Sequence, residues 1–280
     1  MISEEFEMIA SDGVELHAKT WKPDSEDEPT SVLCLVHGFA EHLGRYESVA
    51  EYFVSQGMVV MSFDHRGHGK SPGKRGHAPN FDQLIDDVEQ LLIEARRSYN
   101  DALLFLFGQS FGGNVVANYL TKRNTSEVAG AILSAPWFRL AFKPPAIKMK
   151  LARIMKGIYP GYSEKSSIKS SELTKDEVLA SAYDNDPLVH DNITAATFFN
   201  IVTYGEAVIS NAFKLTIPMM LIHGKEDQIT SWKASEEFAH KAGEKCSLRL
   251  YDNLRHEPLN EVEKETVLED LMTWISHQSK

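Results

Sequence analysis

Cysteine is scarce in this chain: its 280 residues contain only Cys34 and Cys246. Two distant thiols build neither a disulfide framework nor a metal-ligand set, so no metal site is expected and a reducing, cytoplasmic setting is. Basic charge is also in deficit, with 29 Lys and Arg against 40 Asp and Glu and a net charge of −11. Phosphate neutralisation needs a cationic surplus, which argues against nucleic acid as a partner. No apolar run approaches the roughly 18 residues of a membrane-spanning helix, and the acidic first ten residues lack the apolar core of a signal peptide. Internal repeats and low-complexity tracts are missing as well. What is present, 42% hydrophobic and 25% charged residues, is an ordinary globular composition. The length fits one large domain or one domain carrying an insertion.

Short apolar runs recur at residues 32–36, 58–63, 103–107, 128–133, 218–222 and 247–251. Several are apolar on consecutive rather than alternate positions, which fits strands buried on both faces of a parallel sheet. Two more strands are expected at 6–9 and 14–21, joined by the turn Ser11-Asp12-Gly13. Helical patterns lie between the runs, as at 81–98, where Leu84, Val88, Leu91, Leu92 and Ala95 share a face. Strand alternating with helix means an α/β protein with a mostly parallel central sheet flanked by helices. The alternation stops after Leu133 and resumes near Ile217, too long a gap for a structureless loop. We read residues 1–134 and 216–280 as the core and 135–215 as a mainly helical cap inserted late in the sheet.

The run at 103–107 leads into Gly108-Gln109-Ser110-Phe111-Gly112-Gly113 and then into a helical pattern. This is G-x-S-x-G between strand and helix, a sharp turn that lifts the serine oxygen clear of the backbone. A serine hydroxyl is a weak nucleophile near neutral pH and needs a base and an orienting acid. In this kind of fold they follow in the order serine, acid, histidine. Asp227, in the loop after the strand at 218–222, is the expected acid, with Glu226 its local competitor. His256, in the loop after the strand at 247–251, is the expected base; His223 and His277 fit structural or surface roles better. Each lies beyond a strand's carboxyl end, where open α/β sheets gather their sites. The strand at 32–36 ends in His37-Gly38-Phe39-Ala40, and the backbone N–H groups of Phe39 and Phe111 are the natural pair to hold an oxyanion.

Taken together, these segments resemble the monoacylglycerol lipase and lysophospholipase branch of the α/β-hydrolases. The matching stretches are His37-Gly38-Phe39-Ala40-Glu41-His42-Leu43-Gly44-Arg45-Tyr46, Asp64-His65-Arg66-Gly67-His68-Gly69-Lys70-Ser71, the Ser110 elbow, Asp186-Pro187-Leu188-Val189, and the Asp227 and His256 loops. The resemblance spans almost the whole chain. It implies an α/β-hydrolase fold, a cap over Ser110, no metal or organic cofactor, and Ser110, Asp227 and His256 as the catalytic set. It also implies a polar pocket around Glu41 and Arg45 for glycerol hydroxyls, although an intraloop ion pair that shapes the loop is an equal reading. Elbows of the family commonly read G-H-S-M-G-G, so Gln109 and Phe111 depart from the pattern; Phe111 with Phe39 is expected to line the acyl entrance.

Between Trp137 and Ser170 stand eight basic residues against the single acid Glu164. Ile147, Leu151, Ile154 and Ile158 recur at helical spacing, with Lys148, Lys150, Arg153 and Lys156 on the remaining faces. A basic amphipathic helix on an acidic protein reads as an interface-seeking element, so peripheral contact with membranes or lipid aggregates is expected through these four residues. The nearby aromatics Trp137, Phe138, Phe142, Phe198 and Phe199 fit an acyl tunnel and ordinary cap packing equally. The expected function is hydrolysis of a single-chain lipid ester, foremost monoacylglycerol to fatty acid and glycerol. The alternatives are a lysophospholipase or broad carboxylesterase and, from another class, a catalytically silent binding protein. No obligate protein partner is evident.

Overall fold

The computed structural model describes every residue except Glu26, Pro144, Pro145, Ser167 and Lys280, and every described side chain except those of Ala146, Lys148 and Leu151. Eight strands form the central sheet: β1 (Ile2–Ile9), β2 (Glu15–Lys22), β3 (Ser31–Val36), β4 (Val59–Phe63), β5 (Leu103–Gln109), β6 (Val128–Ser134), β9 (Met219–Gly224) and β10 (Cys246–Tyr251), in the order β1-β2-β4-β3-β5-β6-β9-β10. β1 and β2 form an antiparallel hairpin, β2 runs antiparallel to β4, and the remaining pairs are parallel. Every residue of β3, β4 and β9 is buried, because helices cover both faces of the sheet.

One face carries α2 (Phe81–Ser98), α3 (Phe111–Lys122) and α8 (Trp232–Ala242), whose Phe81, Ile85, Val88, Val115 and Phe238 pack on alternate strand residues such as Cys34 and Leu106. The other face carries α1 (Glu47–Ser55) and α9 (Lys264–Gln278), whose Phe53, Leu268, Leu271 and Ile275 meet Leu33, Phe105 and Phe107. α2 starts where the periodicity does, with the Asn80 side chain accepting from the Asp82 N–H at 3.1 Å. β1 begins four residues before the apolar pattern would start it. Its first four residues are exposed and, after Ile2, polar, so pairing from Ile2 with Lys22 to Ile9 with Glu15 extends the strand without a hydrophobic period.

Between β6 and β9 the chain leaves the sheet and forms α4 (Ala146–Ile158), β7 (Ser163–Lys165), α5 (Ser170–Leu173), α6 (Glu177–Asn185), β8 (Asn192–Thr194) and α7 (Ala195–Ser210). β7 and β8 pair antiparallel, a small sheet too short and polar to leave a period in the sequence. α7 seats this region on the core: Asn114 donates to the Ile201 carbonyl at 3.1 Å, and a β-carbon on Gly205 would fall 2.1 Å from the Phe138 oxygen. No helix among the described residues is long and apolar enough to cross a membrane.

Candidate active site

The parallel registers align strand ends, with Val36 opposite Gly108, Ser134 opposite Ile222 and Gly224 opposite Tyr251. The loops that follow β3, β5, β9 and β10 therefore meet at one edge of the sheet. Ser110 occupies the β5–α3 turn with φ 52° and ψ −113°, a backbone conformation that is strained for any residue with a β-carbon. The surrounding glycines permit it: a β-carbon on Gly112 would lie 2.2 Å from the Val36 oxygen, and one on Gly108 2.7 Å from the Gly112 oxygen.

His256 Nε2 lies 2.9 Å from Ser110 Oγ, and its Nδ1 lies 2.7 Å from Asp227 Oδ2. All three residues are buried. Asp227 Oδ1 accepts from the Ile229 and Thr230 N–H groups at 2.7 and 2.9 Å, and Oδ2 also accepts from the Thr230 hydroxyl at 2.8 Å. Burial disfavours the charged form of Asp227. The proximity of His256 and hydrogen bonds from His223 and His256 outweigh that, holding the carboxyl far below the usual carboxylate range. Burial likewise opposes a charged His256, but the Asp227 carboxylate overcomes it and raises the ring above its ordinary value. Glu226, the competing acid, is exposed and pairs with Lys175 at 2.8 Å.

The loop after β3 lies against the serine: a β-carbon on Gly38 would sit 3.4 Å from Ser110 Cβ. Phe39, from that loop, and Phe111, the first residue of α3, thus flank Ser110, with ring centroids 5.8 Å apart. Their side chains differ in surroundings. Phe39 lines the small pocket at Ser110, whereas Phe111 does not line the acyl entrance as its sequence position implied. It is fully buried among His65, His68 and Phe81 beneath the elbow, because the first turn of α3 directs it into the core. Asp64 ties the β3 and β4 loops together by accepting from the Leu43 and Lys70 N–H groups, each at 2.8 Å.

Two cavities meet at Trp137, Ile168 and Ile229. The larger, about 690 Å³, runs beneath the β6–β9 insertion and is lined mainly by apolar side chains, including Leu140, Met155, Ile193 and Phe198. The smaller pocket, against Ser110 and His256, mixes the apolar side chains of Phe39, Ile168 and Leu173 with the charged Glu41, Arg45 and Glu257. Arg45 donates to Glu41 and, with both terminal nitrogens at 2.8 Å, to Glu257, while its guanidinium stacks 4.7 Å from the Tyr183 ring centroid. Glu41 also accepts from the Gly38 N–H at 2.6 Å and the Tyr46 hydroxyl at 2.7 Å. The intraloop ion pair thus forms part of the wall of this small pocket. Sequence reasoning passed over Glu257, although an acid directly after the candidate base was a visible signal.

The four basic residues expected at an interface, all on α4, divide. Lys150 and Arg153 are exposed, the side chain of Lys148 lies outside the described residues, and Lys156 turns inward to donate to Asn200 Oδ1 at 2.7 Å over the Phe199 ring. Of the apolar stripe, Ile147, Ile154 and Ile158 are 78%, 46% and 77% exposed, and Ala152 and Met155 face the cavity instead.

A strand-turn-helix serine joined to a histidine and a buried carboxylate at the carboxyl edge of such a sheet defines an α/β-hydrolase. A family model described as serine aminopeptidase, S33, matches residues 27–263, and the chain belongs to that family. It is 31% identical to the monoacylglycerol lipase of Mycolicibacterium smegmatis over 94% of this chain and 93% of that protein. It is 32% identical to an uncharacterized abhydrolase domain-containing protein of Dictyostelium discoideum over 99% of this chain, but spans only 29% of that protein. The crystal structure of the Paleococcus ferrophilus monoacylglycerol lipase superposes with a TM-score of 0.85 at 27% identity, covering 94% of this chain and 99% of that one.

Proposed function

We propose that this protein hydrolyses the ester of a single-chain lipid, monoacylglycerol foremost, through an acyl-enzyme on Ser110. The observation that carries the reading is His256 bridging Ser110 and Asp227 where a large, mainly apolar cavity meets a small pocket that has Glu41, Arg45 and Glu257 in its wall. His256 takes the Ser110 proton as Oγ attacks the ester carbonyl, and Asp227 holds the ring with its Nδ1–H fixed. The backbone N–H groups of Phe39 and Phe111 hold the oxyanion. His256 then protonates the departing alcohol, and water attacks the acyl-enzyme by the same route to release the fatty acid.

Residues 135–215 act as the cap, and the acyl chain runs through the cavity beneath it. Glu41, Arg45 and Glu257, in the wall of the small pocket, face the alcohol. Arg45 already faces two carboxylates, so no uncompensated positive charge awaits a phosphate, which favours glycerol over a lysophospholipid headgroup. Lys150 and Arg153, beside exposed Ile154 and Ile158, make peripheral contact with lipid surfaces. A hydrolysis panel tests the substrate class: monoacylglycerol should exceed diacylglycerol, lysophospholipid, short p-nitrophenyl ester and amino-acid p-nitroanilide in kcat/KM. Preference for the lysophospholipid or the anilide would replace the reading with phospholipase or aminopeptidase activity.

A further inference from the structure

Asp227 holds two histidines, and the mechanism above uses one of them. His223, the fifth residue of β9, is fully buried, and its Nε2 lies 2.9 Å from Asp227 Oδ2, the same oxygen that accepts from His256. A carboxylate offers only lone pairs, so His223 Nε2 must carry the proton in that contact. A neutral ring then has a bare Nδ1, and the fully buried Ser235 of α8 meets it with its hydroxyl at 2.8 Å. Asp227 thus selects the tautomer, and the Ser235 hydroxyl, able to donate to the bare Nδ1, satisfies it and fixes the ring. A bare Nε2 facing the carboxylate would repel it. The result is a continuous line, Ser235 to His223 to Asp227 to His256 to Ser110, crossing from a helix on one face of the sheet to the nucleophile.

We propose that His223, set by Ser235, is a positioning residue for the catalytic machinery: it fixes the Asp227 carboxylate and takes up part of its negative charge, thereby limiting how tightly Asp227 holds the proton on His256. The inference rests on the proposed roles of Ser110, His256 and Asp227 but is independent of the substrate. The charge on Oδ2 is shared among His256, His223 and the Thr230 hydroxyl. Removing one donor leaves more of that charge to the others, and the protonated form of His256 gains stability. Glu257, next to the ring, and Glu41, from the loop after β3, also favour that protonated form, and Arg45 stands between them. These three are untouched by a change at His223, so a shift of the pH profile reports the arm itself.

The test is the pH dependence of fluorophosphonate labelling of Ser110, which needs His256 neutral and no particular ester, with p-nitrophenyl ester kcat/KM as a parallel measurement. His223→Leu should move the acid limb up by about half a pH unit or more and lower the plateau roughly ten-fold, the rate equivalent of one hydrogen bond to a charged group. Ser235→Ala, a small change in a helix, should move the limb in the same direction by less. His223→Gln, whose amide offers an N–H at a similar reach, should restore much of the wild-type profile. Should folded Ser235→Ala keep the wild-type limb and plateau while His223→Leu loses stability without moving either, His223 is a packing residue and the inference is wrong. A downward shift of the limb in His223→Leu would also overturn it. A folded wild-type protein that neither labels nor hydrolyses esters would overturn the proposed function itself, a result distinct from an active wild type with unaltered variants.

Discussion

Ser110 combines two demands that pull apart, a strained backbone and an activated oxygen. A residue with a β-carbon held at φ 52° and ψ −113° costs about 1–3 kcal/mol. Ser110→Ala should therefore fold normally and lose fluorophosphonate labelling and ester turnover, with kcat down by several orders of magnitude. Ser110→Gly should be equally inactive but more stable than the alanine variant by about 1 kcal/mol in urea denaturation, because glycine adopts positive φ without penalty. Asp227→Asn should reduce kcat steeply while Glu226→Gln leaves it nearly intact, since only Asp227 reaches the His256 ring. The pH profile follows from the direction of the His256 shift. The ring must be neutral to take the Ser110 proton, and its pKa lies above the ordinary 6.5. Activity should thus fall as pH drops through a value above 6.5, measured as the acid limb of kcat/KM. An acid limb below 6.5 would mean that Asp227 does not govern the ring.

At the scale of the element, α4 sets a direction that its pattern left undecided. Its isoleucines face outward and Lys156 faces inward. Replacing Ile154 and Ile158 together by Asp should weaken association with lipid vesicles and slow hydrolysis of vesicle-borne monoacylglycerol, with little effect on a water-soluble ester. Lys156→Glu should slow both substrates, because it breaks the contact with Asn200 that seats α4 on α7. Co-sedimentation with vesicles, alongside the two assays, separates these outcomes. Equal slowing of both substrates by the isoleucine pair would assign the stripe to cap folding.

Over the whole molecule, charge is unevenly spread: the net charge is −11, yet the stretch from Trp137 to Ser170 has eight basic residues and one acid. If this stretch meets an anionic surface as proposed, its attraction should act over about 10 Å, the screening length near 0.1 M salt. Binding to anionic vesicles should weaken steeply as salt rises to about 0.5 M, whereas binding through the isoleucines to zwitterionic vesicles should change little. Salt-insensitive binding to both would show that the charges are merely solvated.

The amino-acid sequence by itself determined the α/β architecture, the elbow at Ser110, and the order of Ser110, Asp227 and His256. Those features are local: consecutive apolar residues demand a sheet covered on both faces, and a nucleophile turn needs small residues at Gly108 and Gly112 whatever surrounds it. Tertiary structure alone decided which distant groups meet. Glu257 joins Arg45 across 212 residues, and His223 with Ser235 reaches Asp227, because the strand order places the β3, β9 and β10 ends at one edge. It also decided that the α4 isoleucines face away from the cavity and that the Phe111 ring points into the core. Helical periodicity separates one face from another, but an apolar face is equally at home against a core or a lipid surface. Only the position of the neighbouring elements, here α7 and the first turn of α3, selects between them.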